Sequence, residues 1–282
     1  MNKGFEKSWQ LTLLVMLLVL LGSLFALIPV IGSNMYLLMI IGELLIALPI
    51  YLGCRYLKRH HQSVDLGFRT FSLRLLIPLF FLPSCMQQFF TVFTYPLQEF
   101  LINTFGEIPE AVPVAKSVSE FLWQFVAICV AAPVLEEVLC RGVMIQLLKP
   151  YGLSVTLVTS AAAFSILHFD IRQIPVIFFL GVMLGVVRLL TGSLWACIFV
   201  HSANNFCSLI LQILIARSEN FAYFALLGVI LFPVFLLIFL RQTKRKNRTL
   251  KLQKTQDIRI SASFVLCWLM VLGYNTFLFF HH

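Results

Sequence analysis

Charge is scarce in this chain. Asp, Glu, Lys and Arg make up 12% of its 282 residues, about half the fraction of an ordinary soluble domain. Hydrophobic residues make up 60%, and mean hydropathy is +0.93. These values exclude a water-covered globule, and no soluble domain fits between the apolar runs. C-x-x-C is also missing. The seven cysteines (Cys54, Cys85, Cys129, Cys140, Cys197, Cys207 and Cys267) are odd in number and scattered through apolar segments. This excludes a disulfide framework and a cysteine metal knuckle, leaving small membrane-buried residues. H-E-x-x-H is absent. No internal repeat is evident, although many transporters would have one. The first apolar run, Leu11 to Ile31, lacks an A-x-A site and is too long for a signal-peptide core, so it reads as an uncleaved span.

What the chain does have is a series of apolar runs near 20 residues, each long enough to cross about 30 Å of hydrocarbon. Their continuity excludes a barrel of alternating strands. The reading is an all-α, polytopic transmembrane helical bundle of eight to nine spans. They fall near 10–32, 35–57, 75–96, 118–140, 154–169, 174–190, 193–215, 221–240 and 261–280. Three parts follow: an N-terminal hairpin and linker (1–74), a membrane core (75–216), and C-terminal spans with a basic loop at 241–259 (217–282). The linker from Gln62 to Arg74 reads either as an interfacial amphipathic stretch or as an ordinary loop.

Net charge is +9, but its distribution argues against nucleic acid. Eight basic residues crowd between Arg241 and Arg259, just after an apolar run. With the N-terminus inside, all but three of the 21 basic residues (Lys116, Arg172 and Arg217) are cytoplasmic, and the outer loop carries Glu99, Glu107, Glu110 and Glu120. That bias places a multi-pass protein in a cell membrane with its N-terminus in the cytoplasm, its basic loop facing anionic lipid.

Against this background a few polar residues stand out. An ionisable side chain near the bilayer centre costs roughly 2.5–3.5 kcal/mol on insertion scales, so it marks a functional site by default. The first group is Glu136-Glu137-x-x-x-Arg141 in APVLEEVLCRG. Glu137 and Arg141 are four apart and can pair on one helical face. Glu136 points about 100° away and is freer to face a cavity, as a general base must. The second is Phe164-x-x-x-His168, on one helical face beside the small-residue run Ser160 to Ala163, which lets a neighbouring helix approach closely. The third is His201-x-x-x-Asn205, where an imidazole and an amide in an apolar span must hydrogen-bond something. Taken singly, each group also fits a structural role: a helix-end salt bridge, an interfacial histidine, or glue between helices. Glu43, in the second span, could line a transport pathway, sit at the interface or pair with a polar neighbour. If the helices are straight, a 1.5 Å rise puts Glu136, His168 and Asn205 roughly 20–24 Å from turns on the same side. Three helices would then bring a carboxylate, two imidazoles and an amide to one depth.

The order E-E-x-x-x-R, F-x-x-x-H, H-x-x-x-N resembles the pattern of the CAAX-protease and bacteriocin-processing (CPBP, or Abi) family of intramembrane endopeptidases, over about residues 118–215. The resemblance implies peptide-bond hydrolysis within the membrane. It implies that Glu136 with His168 activates water, that His201 and Asn205 stabilise the oxyanion, and that Glu137, Arg141 and Phe164 support the site. It implies a membrane protein or peptide as substrate, and bacteriocin processing, self-immunity or peptide signalling as settings, with a sensor kinase or peptide-export system as partner. No cofactor is the favoured reading; zinc held by Glu136, His168 and His201 is the alternative. A non-proteolytic membrane partner or immunity protein is the competing function.

Overall fold

The computed structural model describes residues 3–32, 34–60, 62–106, 113–215, 221–243 and 262–281. Glu107, Glu110, Arg217 and the basic residues from Lys244 to Arg259 lie outside the described residues.

Nine principal helical segments follow in order: α1 Lys3–Leu27, α2 Met35–Arg59, α3 Leu73–Phe105, α4 Val118–Tyr151, α5 Leu153–Ile166, α6 Ile174–Thr191, α7 Leu194–Ile215, α8 Phe221–Thr243 and α9 Ala262–His281. Seven of them are long and apolar enough to cross a membrane; α5 and the described apolar part of α9 are shorter. The protein is therefore a multi-pass helical membrane protein. The seven cysteines are free.

Local chemistry explains the breaks. Asn34 starts α2 by accepting the Leu37 N–H at 3.0 Å. Pro49 has no N–H for the carbonyl of Leu45, and α2 is interrupted at Ile46. Ser117 opens α4 by accepting the Glu120 N–H, while the Glu120 carboxylate accepts the Lys116 N–H at 2.8 Å. Gly152, at φ 94°, supplies the turn into α5.

The helices pack by small residues. On α6, a Cβ built at Gly181 would lie 2.9 Å from the Ala161 Cα, and one at Gly185 would lie 2.6 Å from a Leu157 methyl. The Ser160–Ala163 run thus accepts α6 at close range, as small residues do between membrane helices. Gly53 lets α2 approach Val143 on α4 in the same way. One apolar core draws on all of these segments: Phe5 and Trp9 on α1, Leu57 on α2, Leu79 on α3, Met144 on α4, Phe164 on α5, Leu184 on α6, Val200 on α7, Phe239 on α8 and Val271 on α9.

The linker is not helical over residues 62–72. It is a strap pinned across one end of the core. The Leu66 carbonyl accepts from Arg188 at 3.3 Å, the Gly67 carbonyl accepts the Leu194 N–H at 2.6 Å, and Ser193 donates to the Arg69 carbonyl. Leu66 packs against Val138, Leu194 and Ile198, and Phe68 is exposed. These contacts decide in favour of a loop, tied to the core by its backbone.

The close α5–α6 contact predicts that Gly181→Val lowers the thermal midpoint in detergent. Overpacking of this kind costs about 1–3 kcal/mol. An unchanged midpoint would mean that the two helices are not held at this distance.

Candidate active site

The long α4 is not uniform. It is α-helical over Val118–Gln124, π-helical over Phe125–Ala131, α-helical over Ala132–Glu137 and π-helical again over Val138–Met144. The two glutamates close the short α-helical piece between the two π stretches, so the uniform rise assumed from the sequence does not hold here. Stretches of π-helix are rare and cluster at functional sites. Pro133 explains part of this one. In π register the Ala132 N–H bonds the carbonyl of Ala127, five residues back. The next such bond would run from residue 133 to Ile128, but proline has no N–H. Instead, the Asn205 amide donates to the Ile128 carbonyl at 2.8 Å.

Glu137 and Arg141 form the pair that their spacing predicts, at 3.0 Å and with both side chains fully buried. Arg141 also donates to the Gly181 carbonyl at 2.8 Å, and its guanidinium lies 4.4 Å from the Phe164 ring centre. Phe164 is fully buried, and its ring meets the rings of His168 and His201 edge-on at 5.1 and 5.4 Å. Its place is therefore structural: it separates the guanidinium from the two imidazoles.

His201 joins both glutamates. Its Nδ1 donates to Glu137 at 3.1 Å, and its Nε2 lies 3.9 Å from Glu136. The two adjacent carboxylates point in different directions, as the helix requires, yet they bracket one imidazole. With Nδ1–H committed to Glu137, only the imidazolium can also donate from Nε2. His168 occupies a turn just after α5, exposed, with Nδ1 donating to the Phe164 carbonyl at 3.0 Å. This tautomer leaves Nε2 as the basic nitrogen. His168 is thus beyond the helix rather than inside a span. The ionisable ring nearest Glu136 is that of His201.

Sequence reasoning gave Glu43 a transport or interfacial role, or a pairing with an unnamed polar neighbour, and no place in the site. Its helix α2 packs against the α4 segment that carries Glu136. Glu43 Oε2, Glu136 Oε2 and Glu137 Oε2 are all buried without a hydrogen-bond partner among the described residues. The signal was present, since an ionisable residue in an apolar span marks a site. It lacked a motif to assign it. Among the described residues, no three His, Cys, Asp or Glu side chains converge as metal ligands would.

Residues 118–207 match the family model described as type II CAAX prenyl endopeptidase Rce1-like. This stretch is similar to the CAAX-protease (CPBP) family. The match contains Glu136, Glu137, Arg141, Phe164, His168, His201 and Asn205, and Glu43 lies outside it. That similarity points, at family level, to a CAAX-protease-like peptide hydrolase, in a chain whose helices are those of a multi-pass membrane protein. No curated protein and no solved structure matches the chain.

The buried pair predicts that Arg141→Ala lowers folded yield as well as activity. Removing one partner strands a buried carboxylate, at a cost of about 3–5 kcal/mol in soluble proteins. Near-normal yield and thermal midpoint in detergent would show that the pair is dispensable for folding.

Proposed function

We propose that the protein is an intramembrane endopeptidase that hydrolyses peptide bonds of membrane-associated proteins or peptides. One observation carries this reading. The His201 imidazole stands between Glu136 and Glu137, with Asn205 one turn further along the same helix. Burial strips these groups of bulk water, and there a carboxylate, an imidazole and an amide are costly unless they serve a reaction or one another.

In this mechanism Glu136 takes a proton from water while the resulting hydroxide attacks the scissile carbonyl. The partnerless Glu136 oxygen is the acceptor for that proton. His201, held by Glu137, and Asn205, held by the Ile128 carbonyl, use their remaining N–H capacity on the oxyanion. A primary amide has two N–H donors, so Asn205 keeps one free of the backbone. His168, with Nε2 basic and open, shares the proton with Glu136 and returns it to the leaving nitrogen as the C–N bond breaks. The proposed site is free of metal. The protein sits in the cell membrane with a cytoplasmic N-terminus, and its settings are bacteriocin maturation, self-immunity or peptide signalling, beside a peptide-export system or sensor kinase.

Purified Glu136→Gln should stay folded in the membrane and lose about 10²–10⁴ in cleavage rate. Glu136→Ala combined with His168→Ala should cost little more than either alone, because residues that act as a unit are non-additive. Quantitative peptidomics of membranes carrying wild type or Glu136→Ala would identify the substrates. Equal peptide profiles, with biological activity kept, would replace the protease by a non-proteolytic partner. Activity abolished by strong chelators and restored by zinc would replace the metal-free site by a metalloprotease.

The charge bias makes a separate prediction. In a cysteine-depleted background, an impermeant thiol reagent applied to intact cells should label Thr104→Cys and spare Arg59→Cys. The opposite pattern would invert the topology.

A further inference from the structure

The turn that carries His168 is unusual in three ways. First, α5 has 14 residues and rises about 21 Å at 1.5 Å per residue, short of the roughly 30 Å hydrocarbon thickness. The chain thus leaves the helix before a full span is complete, and irregular backbone facing lipid there would need protein groups to satisfy it. Second, Phe169, next to His168, has φ 59° and is the one non-glycine residue with positive φ among the described residues. A bulky side chain there costs about 1–3 kcal/mol and persists only when its surroundings over-determine it. Third, the group that does so comes from α9, outside the family match. Asn275, 1% exposed, donates to the Phe169 carbonyl at 2.7 Å and to the Val271 carbonyl at 2.8 Å, and accepts the Ile171 N–H at 3.4 Å. The Tyr274 ring meets the Phe169 ring edge-on at 5.6 Å. On the other side, Asp170 binds the Arg172 backbone and guanidinium at 3.0 Å each and the Gln173 amide at 2.8 Å.

We propose that Asn275 is a positioning residue for the hydrolytic site: by holding the Phe169 carbonyl and the Ile171 N–H, which flank Asp170 just after the strained Phe169, the last helix fixes where the His168 imidazole stands. The role in catalysis rests on the protease reading above; the clamp itself does not. The side-chain bond from His168 Nδ1 to the Phe164 carbonyl sets the ring's tautomer. Only the backbone at 168–169 sets where that ring is carried, and Asn275 holds the carbonyl on its far side.

The test compares wild type, Asn275→Leu and Asn275→Asp in full-length protein in detergent or liposomes. Asn275→Leu removes the donor and the acceptor at similar volume; Asn275→Asp keeps the acceptor and removes the donor. Both should lower kcat about 10- to 100-fold with KM little changed, since misplacing a group by about 1 Å costs that much. A second readout does not need activity. Carbethoxylation of His168 by diethylpyrocarbonate, followed by mass spectrometry, should change several-fold in both variants. His60 serves as internal reference: it is exposed, makes the same kind of Nδ1 bond to the Tyr56 carbonyl at 2.9 Å, and should not change. Phe169→Gly supplies a rescue. Glycine adopts positive φ at little cost, so in the Phe169→Gly background Asn275→Leu should lose less. If Asn275→Leu folds poorly, Asn275→Asp and the rescue pair still decide. His168 reactivity unchanged in a folded variant would overturn the proposal, as would a rise in KM alone. If wild type and Glu136→Gln give the same peptide profile with no cleavage by either, the protease reading fails, and His168 reactivity still tests the clamp.

Discussion

Arg141 has no route to water. It is fully buried, as is its partner Glu137, in a chain where charge is scarce. Bringing two charges out of water costs several kcal/mol per ion, which their mutual attraction offsets only with good geometry and further partners. The fold supplies those partners from three other helices. The Gly181 carbonyl on α6 and the Phe164 ring on α5 face the guanidinium, and His201 on α7 donates to the carboxylate. Each of these needs close approach. Gly181 has no Cβ where Ala161 stands, and Phe164 is held between cation and imidazoles. The buried pair thus fixes the spacing of α4, α5, α6 and α7, and the unpaired carboxylate beside it, Glu136, inherits a rigid wall.

The same logic governs the backbone. Membrane helices must satisfy their own N–H and C=O groups or borrow partners from neighbours. Pro133 frees the Ile128 carbonyl about two helical turns before the glutamates, and Asn205 fills it. That contact locks α7 to α4 at the depth of the site and orients the amide whose second N–H faces outward from the bond. A proline that would weaken a soluble helix here aims a side chain on another helix.

Much of the site was legible because a bilayer penalises every polar residue that has no task. The Glu137–Arg141 pair followed from i,i+4 spacing, and the close α5–α6 approach from the Ser160–Ala163 run. The number of apolar runs followed from composition. Other features were not legible. Periodicity assumes 3.6 residues per turn, so it cannot register two π stretches in α4 or a turn that places His168 beyond the end of α5. Spacing along one helix is silent about contacts between helices, so the bond between His201 and Glu137 was hidden. So was the approach of Glu43, about 90 residues earlier in the chain, to Glu136. The strap at 62–72 is held through its backbone carbonyls, which no side-chain pattern encodes.

The segments outside the family match therefore have physical work within the site. α2 brings a carboxylate beside Glu136. The strap ties the Arg188 and Ser193 ends of α6 and α7 together, and Arg188 in turn donates to the Arg141 carbonyl at 3.3 Å. α9 closes the turn after His168. A core of four helices could carry the motif residues, but it would leave the Phe169 carbonyl in the α5–α6 turn without its Asn275 donor. The outer helices are needed because the membrane offers that backbone nothing. They act on the site through the few side chains, such as Asn275, that face inward to a peptide group.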